Sequence, residues 1–274
     1  MVKIQELEKK SVDLRKDIVN ICYNSKAGHI GGSLSSIDIL NTLYNHELNV
    51  DPKNPKMENR DRFILSKGHV AEALFVVLAD CGFFDKDELK TYSTFNSKFI
   101  GHPNNKIPGI EMNTGALGHG LSLGVGCALA AKMNGEKYRT YVLMGDGEQA
   151  EGSIWEAAMA ASHYNLDNLV AIVDRNGLQI SGSTEDVMSL KDLKGKWEKF
   201  GFNVIEINGN NYEEIVQALN EAKTVKGMPT LILADTVKGK GISYMENKAS
   251  WHHGVMTEEQ YELAISELEE KIYE

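Results

Sequence analysis

The chain has 274 residues, 42% hydrophobic and 25% charged, and its 29 Lys and Arg against 39 Asp and Glu give a formal net charge of −10. These totals allow one large α/β domain with a substantial core, and the acidic balance argues against a nucleic-acid groove or an anionic membrane surface as partner. No apolar run reaches the length of a bilayer span, and the polar opening MVKIQELEKK does not read as a secretory signal. The expected compartment is the cytoplasm. Cys22, Cys81 and Cys127 lie in apolar, helix-like contexts and form no C-x-x-C pair, so buried free thiols are expected.

In chain order, residues 3–24 place Ile4, Leu7, Leu14, Ile18 and Ile21 at helical spacing, which predicts an amphipathic helix. GHIGGSLSS follows as a glycine-rich loop, with Ser35 or Ser36 as N-cap of a helix over IDILNTLYNHEL. DPKNPKMENRDR is a surface loop, FILSKGH a short strand ending in a loop, and VAEALFVVLADCG an apolar helix. The middle alternates clearly: strand YRTYVLM, helix EGSIWEAAMAASHY, strand NLVAIVD ended by RNGLQISGST, then helix SLKDLKGKWEKFG. Strand NVIEI, helix YEEIVQALNEAKTV and strand PTLILAD, ended by TVKGKG, complete the pattern. The tail, residues 257–274, is an acidic helix whose single apolar stripe faces either the body or a partner. Such alternation predicts a doubly wound, mostly parallel sheet with helices on both faces, and one domain over residues 1–274.

Ligand crevices in such sheets form from loops at the carboxyl ends of strands. MGDGE and DRNGL are two such loops, joined by one strand–helix–strand unit that can bring Asp146 and Asn176 together. Taken alone, G-D-G is a common turn and Asn-Gly another. Taken together, the two supply one charged and one neutral oxygen donor, which suits Mg²⁺ or Ca²⁺. Gly145 and Gly147 would let a phosphate approach the backbone, and a helix starting near Glu148 would present its positive end. The expected ligand is a metal-bound diphosphate.

GDGEQAEG followed by AIVDRNGLQISG resembles the signature of thiamine diphosphate enzymes, and of the transketolase family in particular. SKAGHIGGSLS, NRDRFILSKGHVAEALF and IGHPNNKIPGIEMNTGALGHGLSLGVG are similar to further motifs of that family, in the family's order, and the likeness runs from the first helix to WHHG. Five of the eight histidines (His29, His69, His102, His119 and His253) adjoin a glycine in a predicted loop. Imidazole suits proton transfer near neutral pH. The resemblance implies that His29, His69, His102 and His253 line the reaction centre, with His69 and His253 also touching the cofactor. It further implies that Gly115, Ala116 and Leu117 meet the aminopyrimidine, and that Asp146, Asn176 and the carbonyl of Leu178 hold the metal. Gly147 and Lys238 would contact the cofactor, and Glu151 would sit at a subunit interface linking two active sites. Ala116 and His119 stand where many members carry proline and glutamine, which leaves the part played by His119 open, as does WHHG for His252. His46 and His163 match nothing in the family pattern.

The family resembles three modules in series, and this sequence matches only the first. The expectation is therefore an N-terminal subunit of a split transketolase. It would transfer a two-carbon ketol unit from a ketose phosphate to an aldose phosphate, together with a separate chain carrying the pyrimidine-binding and C-terminal modules, as a heterotetramer. Half of a deoxyxylulose-phosphate synthase, the α subunit of a 2-oxo acid dehydrogenase and a non-catalytic protein on the same fold are the alternatives.

Overall fold

The computed structural model describes residues 4–270; the outermost residues of the two expected terminal helices, 3 and 271–274, lie outside the described residues. Helix α1 (Ile4–Ser25) is followed by α2 (Ile30–Thr42), strand β1 (Arg62–Leu65), α3 (Ala71–Asp80) and α4 (Gly120–Asn134). Then come β2 (Thr140–Gly145), α5 (Gly152–His163), β3 (Leu169–Arg175), and a two-strand ribbon, β4 (Leu178–Gln179) and β5 (Gly182–Ser183). The short helices α6 (Thr184–Met188) and α7 (Leu193–Lys199) precede β6 (Asn203–Asn208), α8 (Tyr212–Thr224), β7 (Thr230–Asp235) and α9 (Glu258–Glu270).

Five strands form one wholly parallel sheet in the order β1-β2-β3-β7-β6. Alternate residues of β2 face opposite layers, as the period of two requires. Tyr141 and Leu143 pack with α1, α2, α3 and α8, whereas Val142 and Met144 pack with α4, α5 and α7. Both faces are covered, so the central strands are apolar except at their ends, where Thr140, Asp174, Arg175, Thr230 and Asp235 stand. The doubly wound α/β reading holds. The register pairs Gly145 with Asp174 and Arg175 with Asp235, so the strands end along one rim.

Several local expectations are corrected. GHIGGSLSS is not a loop, because α2 already begins at Ile30, with His29 rather than Ser35 or Ser36 at its N-cap. Glycine is there for close approach. A Cβ on Gly31 would lie 2.5 Å from the carbonyl oxygen of Trp251, and one on Gly32 would lie 2.8 Å from Val70. The Ser35 and Ser36 hydroxyls point inward to Asp174 instead of capping. The expected helix over residues 37–48 ends as an α-helix at Thr42 and closes in a π-turn, Leu43–Glu47. Helix α4 was not among the predicted elements, although Cys127 within it was expected in a helix-like context, and Gly124 lets the helix lie directly on Val142 of β2. The predicted helix over 189–201 shrinks to α7, capped by the Asp192 carboxylate. Cys22 is buried, but Cys81 and Cys127 are only half-buried; all three are free. The stripe of α9 packs on the body, through Ala264, Leu268 and a Tyr23–Tyr261 stack 4.2 Å apart. Among the described residues no helix is long and apolar enough to cross a membrane.

Candidate active site

The rim where the strands end carries the chemistry. Asp146 follows β2 and caps a 3₁₀ turn, Gly147–Ala150, rather than the start of α5 as the sequence suggested. Its carboxylate accepts from the Gly147 amide (2.7 Å) and, across the loops, from the Gly177 amide (2.6 Å), so the two loops are neighbours as their spacing implied. Asn176 lies beside it, its amide donating to the Ser35 hydroxyl at 3.3 Å and its carbonyl oxygen accepting from the Leu178 amide at 3.1 Å. Burial, followed by the nearby Asp174 carboxylate, pushes Asp146 up to about 6.

One expectation about this loop needs revision. The Gly147 amide is engaged by Asp146, and the Gly145 amide donates to Glu148 at 3.0 Å, so neither points free into the crevice. Glu148 is the hub of the loop. It is 2% exposed and also accepts from the Ser66 hydroxyl and, at 2.7 Å, from the Gly118 amide. The missing side chain at Gly147 makes room for Gln179, whose Cγ would lie 3.0 Å from a Cβ there.

The histidines converge on this rim. His29, at the N-cap of α2, has its ring 5.2 Å from His69, 6.5 Å from His102, 5.4 Å from His252 and 4.9 Å from His253. His252 stacks on His69 at 5.3 Å and meets the Lys238 ammonium at 3.2 Å. A cavity of about 470 Å³ is lined by His29, His69, His252, Lys67 and Lys238 together with the Asp146 and Asn176 loops. Gly115, Leu117, Gly147, Leu178 and Glu151 also line it. His253 and His102 stand at the exposed edge, and Ala116 is exposed. His102 packs on Gly115, where a Cβ would come within 2.7 Å of its ring. His119 sits at the N-cap of α4 with its ring on the Leu117 carbonyl, and makes no ring contact with the cluster.

Burial lowers His29 to about 4 and His252 to about 3, and lowers His69 further; neighbouring histidines and the two lysines add to each shift. Lys238 falls to about 8, mainly through burial and then through Lys67. The sign of the stability effect follows. Above the ordinary histidine value both folded and unfolded chains are neutral at these sites. Below it the unfolded chain binds protons that the folded cluster refuses. Asp146 opposes this in part, since its raised value favours proton uptake by the folded state. Glu72 and Glu148, which burial also raises, act in the same sense as Asp146, so the cluster is read by difference. Relative to a His69→Asn variant, the denaturant midpoint of the wild-type chain should therefore fall between pH 7 and pH 5, and a relative midpoint that rose would contradict a neutral cluster.

Beneath the cavity lies a buried ion pair that the sequence did not reveal. Lys67 and Asp174, 2% and 0% exposed, bond directly; Asp174 also accepts from Ser35 (2.7 Å), Ser36 (2.8 Å) and Thr236. Charge compensation holds Asp174 below the ordinary carboxylate value despite its burial. Lys67 stands inside the motif that ends in His69, which was the one available signal. His252 and Gln179 were likewise passed over as site residues.

The residues present fit a hard cation with a diphosphate. Asp146 and Asn176 offer oxygen donors to the cavity; among the described residues no group of three or more His, Cys, Asp and Glu that could hold a metal ion occurs, so a cation here would draw the rest of its shell from neutral oxygens and the diphosphate. Two lysines with little exposure line the same space. His29 Nδ1 and Gln179 Nε2 are buried there without a hydrogen-bond partner, which is costly unless a ligand supplies one.

Comparison with known proteins accords with this geometry. Residues 8–269 match the family model described as transketolase, thiamine diphosphate binding domain. The first-lettered of the subunits of apulose-4-phosphate transketolase from Phocaeicola vulgatus is 53% identical over 271 residues, covering 99% of this chain and 96% of the relative. The 6-deoxy-6-sulfo-D-fructose transketolase subunit SqwG of Clostridium sp. strain MSTE9 is 43% identical over 89% of each. Among solved structures, the transketolase of Campylobacter jejuni superposes with a TM-score of 0.90 at 33% identity, over 96% of this chain but 43% of its own. The Leishmania mexicana enzyme gives 0.90 at 31% identity, and the chain spans 42% of its length. The chain belongs to the transketolase family, and the part of that family it represents is the thiamine diphosphate binding domain.

Proposed function

We propose that the chain is the N-terminal subunit of a two-chain transketolase, which moves a two-carbon ketol unit from a ketose phosphate to an aldose phosphate. The observation that carries the reading is the convergence of His29, His69, His102, His252 and His253 on a rim that also holds Asp146, Asn176 and Lys238. Thiamine diphosphate, when bound, supplies an electron sink for the two-carbon fragment. Asp146, Asn176 and the Leu178 carbonyl would hold Mg²⁺ or Ca²⁺ against the diphosphate, with Lys238 and the Gly147 loop beside it. Gly115, Ala116 and Leu117 would face the aminopyrimidine.

The half-buried histidines divide the work with the exposed ones. Burial keeps His29 and His252 neutral, so each offers one ring nitrogen as acceptor and one as donor to a substrate hydroxyl or carbonyl. His102 and His253, at the exposed edge, are placed to hold substrate hydroxyls as they enter. Glu151 lines the cavity yet is exposed, as suits a residue that a second chain covers. The partner is a separate chain with the pyrimidine-binding and C-terminal modules, in an assembly of two copies of each. The relative from Phocaeicola vulgatus is named as one lettered subunit of a transketolase and is almost wholly covered by this chain, which supports that division.

The purified chain should show essentially no ketol transfer, and addition of the companion subunit should restore it. Apulose-4-phosphate, named for the 53% identical relative, is the first donor to assay. Robust turnover by the chain alone would refute the division of labour.

A further inference from the structure

Glu72 lies on α3, three residues beyond His69, and is 0% exposed. No ion pair among the described residues involves it. A buried carboxylate without a cation is costly unless hydrogen-bond donors surround it. Three do. Its Oε1 accepts from the His29 amide at 3.0 Å and from the Tyr92 hydroxyl at 2.6 Å, and its Oε2 accepts from the Ser33 hydroxyl at 3.0 Å.

Those donors belong to the segments that carry the histidines. The His29 amide and Ser33 fix the start of α2, and therefore His29 itself. Tyr92 opens the loop that leads to His102; it is 2% exposed, and the loop is tied by the Ser93 amide to the Phe99 carbonyl at 2.8 Å. Phe99, 0% exposed, packs on Phe75 of α3 with ring centroids 5.4 Å apart. His69 is joined to Glu72 through the 3₁₀ turn Gly68–Val70 that runs into α3. The surroundings leave no slack for the carboxylate. Gly28 has φ of +126°, and a Cβ there would come within 2.7 Å of both Glu72 Oε1 and Cys22 Sγ.

We propose that Glu72 is a positioning residue for the histidine cluster, one carboxylate that sets the mutual placement of His29, His69 and His102 without touching the cavity. Its catalytic consequence rests on the transketolase reading, while its structural consequence does not. Glu72→Gln keeps the size but leaves one acceptor oxygen for three donors, with an amide group turned toward at least one of them.

The test is a pair of measurements. Imidazole ¹H–¹⁵N spectra of the full chain should show the signals of His29, His69 and His102 displaced in Glu72→Gln, with His163 at the end of α5 unmoved. In the complex with its partner, turnover should fall roughly tenfold or more, as for misplaced catalytic groups. KM for the donor and the affinity for thiamine diphosphate should stay within about threefold, a split that general loosening would not give. Should Glu72→Gln fail to fold, Tyr92→Phe removes a single donor and should displace His29 and His102 to a smaller extent. A folded Glu72→Gln in which the three signals stay in place, or in which only one moves, overturns the proposal. If the three signals move while the wild-type complex transfers no ketol unit, the positioning role stands and the proposed function falls.

Discussion

Asp146→Ala should abolish metal-dependent binding of thiamine diphosphate, with titration calorimetry on the chain or its complex showing a loss of roughly a hundredfold or more, beyond what removing an outer-shell partner costs. Two effects of the one carboxylate add here. It is the only charged oxygen donor of the proposed metal set. It also holds the β2 and β3 loops together, through the Gly147 and Gly177 amides at 2.7 and 2.6 Å. Alanine therefore removes a ligand and releases the Gly177 amide, next to Asn176, from its acceptor. Asp146→Asn separates the two effects, because it preserves much of the loop geometry and loses the charge. Chelation of divalent ions should weaken wild-type binding and leave the residual binding of Asp146→Ala unchanged. Unaltered affinity in Asp146→Ala would remove Asp146 from the metal site.

Lys67→Met should lower stability by about 3–5 kcal/mol, the cost of leaving one member of a buried ion pair behind. For a chain of this size that corresponds to a fall in Tm on the order of ten degrees. The reason is local. Without the ammonium, Asp174 keeps only the hydroxyls of Ser35, Ser36 and Thr236 around a carboxylate that is 0% exposed. Lys67→Met with Asp174→Leu should recover much of the loss, since replacing both partners removes the stranded charge. Thermal unfolding of the three proteins decides it. A single variant melting within about two degrees of wild type would show that water reaches Asp174 in place of the lysine.

What was legible in the sequence follows from what periodicity can carry. β2, β3 and β7 are apolar runs between polar turns, and the pairing of Asp146 with Asn176 follows from one strand–helix–strand unit. Glycine-rich helices were not legible. In α2 and α4 glycine serves tight packing against Trp251, Val70 and Val142, and composition alone does not separate that use from a turn. Nor were the buried charges. Lys67, Glu72 and Glu148 look in the sequence like solvated surface residues, and each is buried because donors or acceptors from distant segments close around it. Such closure is a property of three dimensions. The choice between His252 and His253 depended likewise on which ring a single 3₁₀ turn, Ala249–His252, aims into the cavity.

The parallel sheet has a practical consequence. Every strand of the five-stranded sheet delivers its loop to the same rim, so the opposite rim carries none of the candidate site. The turns entering β2 and β7, around Gly135 and Gly227, are exposed there, and neither glycine has a neighbour within 4 Å of where a side chain would begin. A fluorophore, an affinity handle or a surface tether belongs at Glu136 or Lys226, where it can report on the chain or immobilise it while the rim of the candidate site stays open.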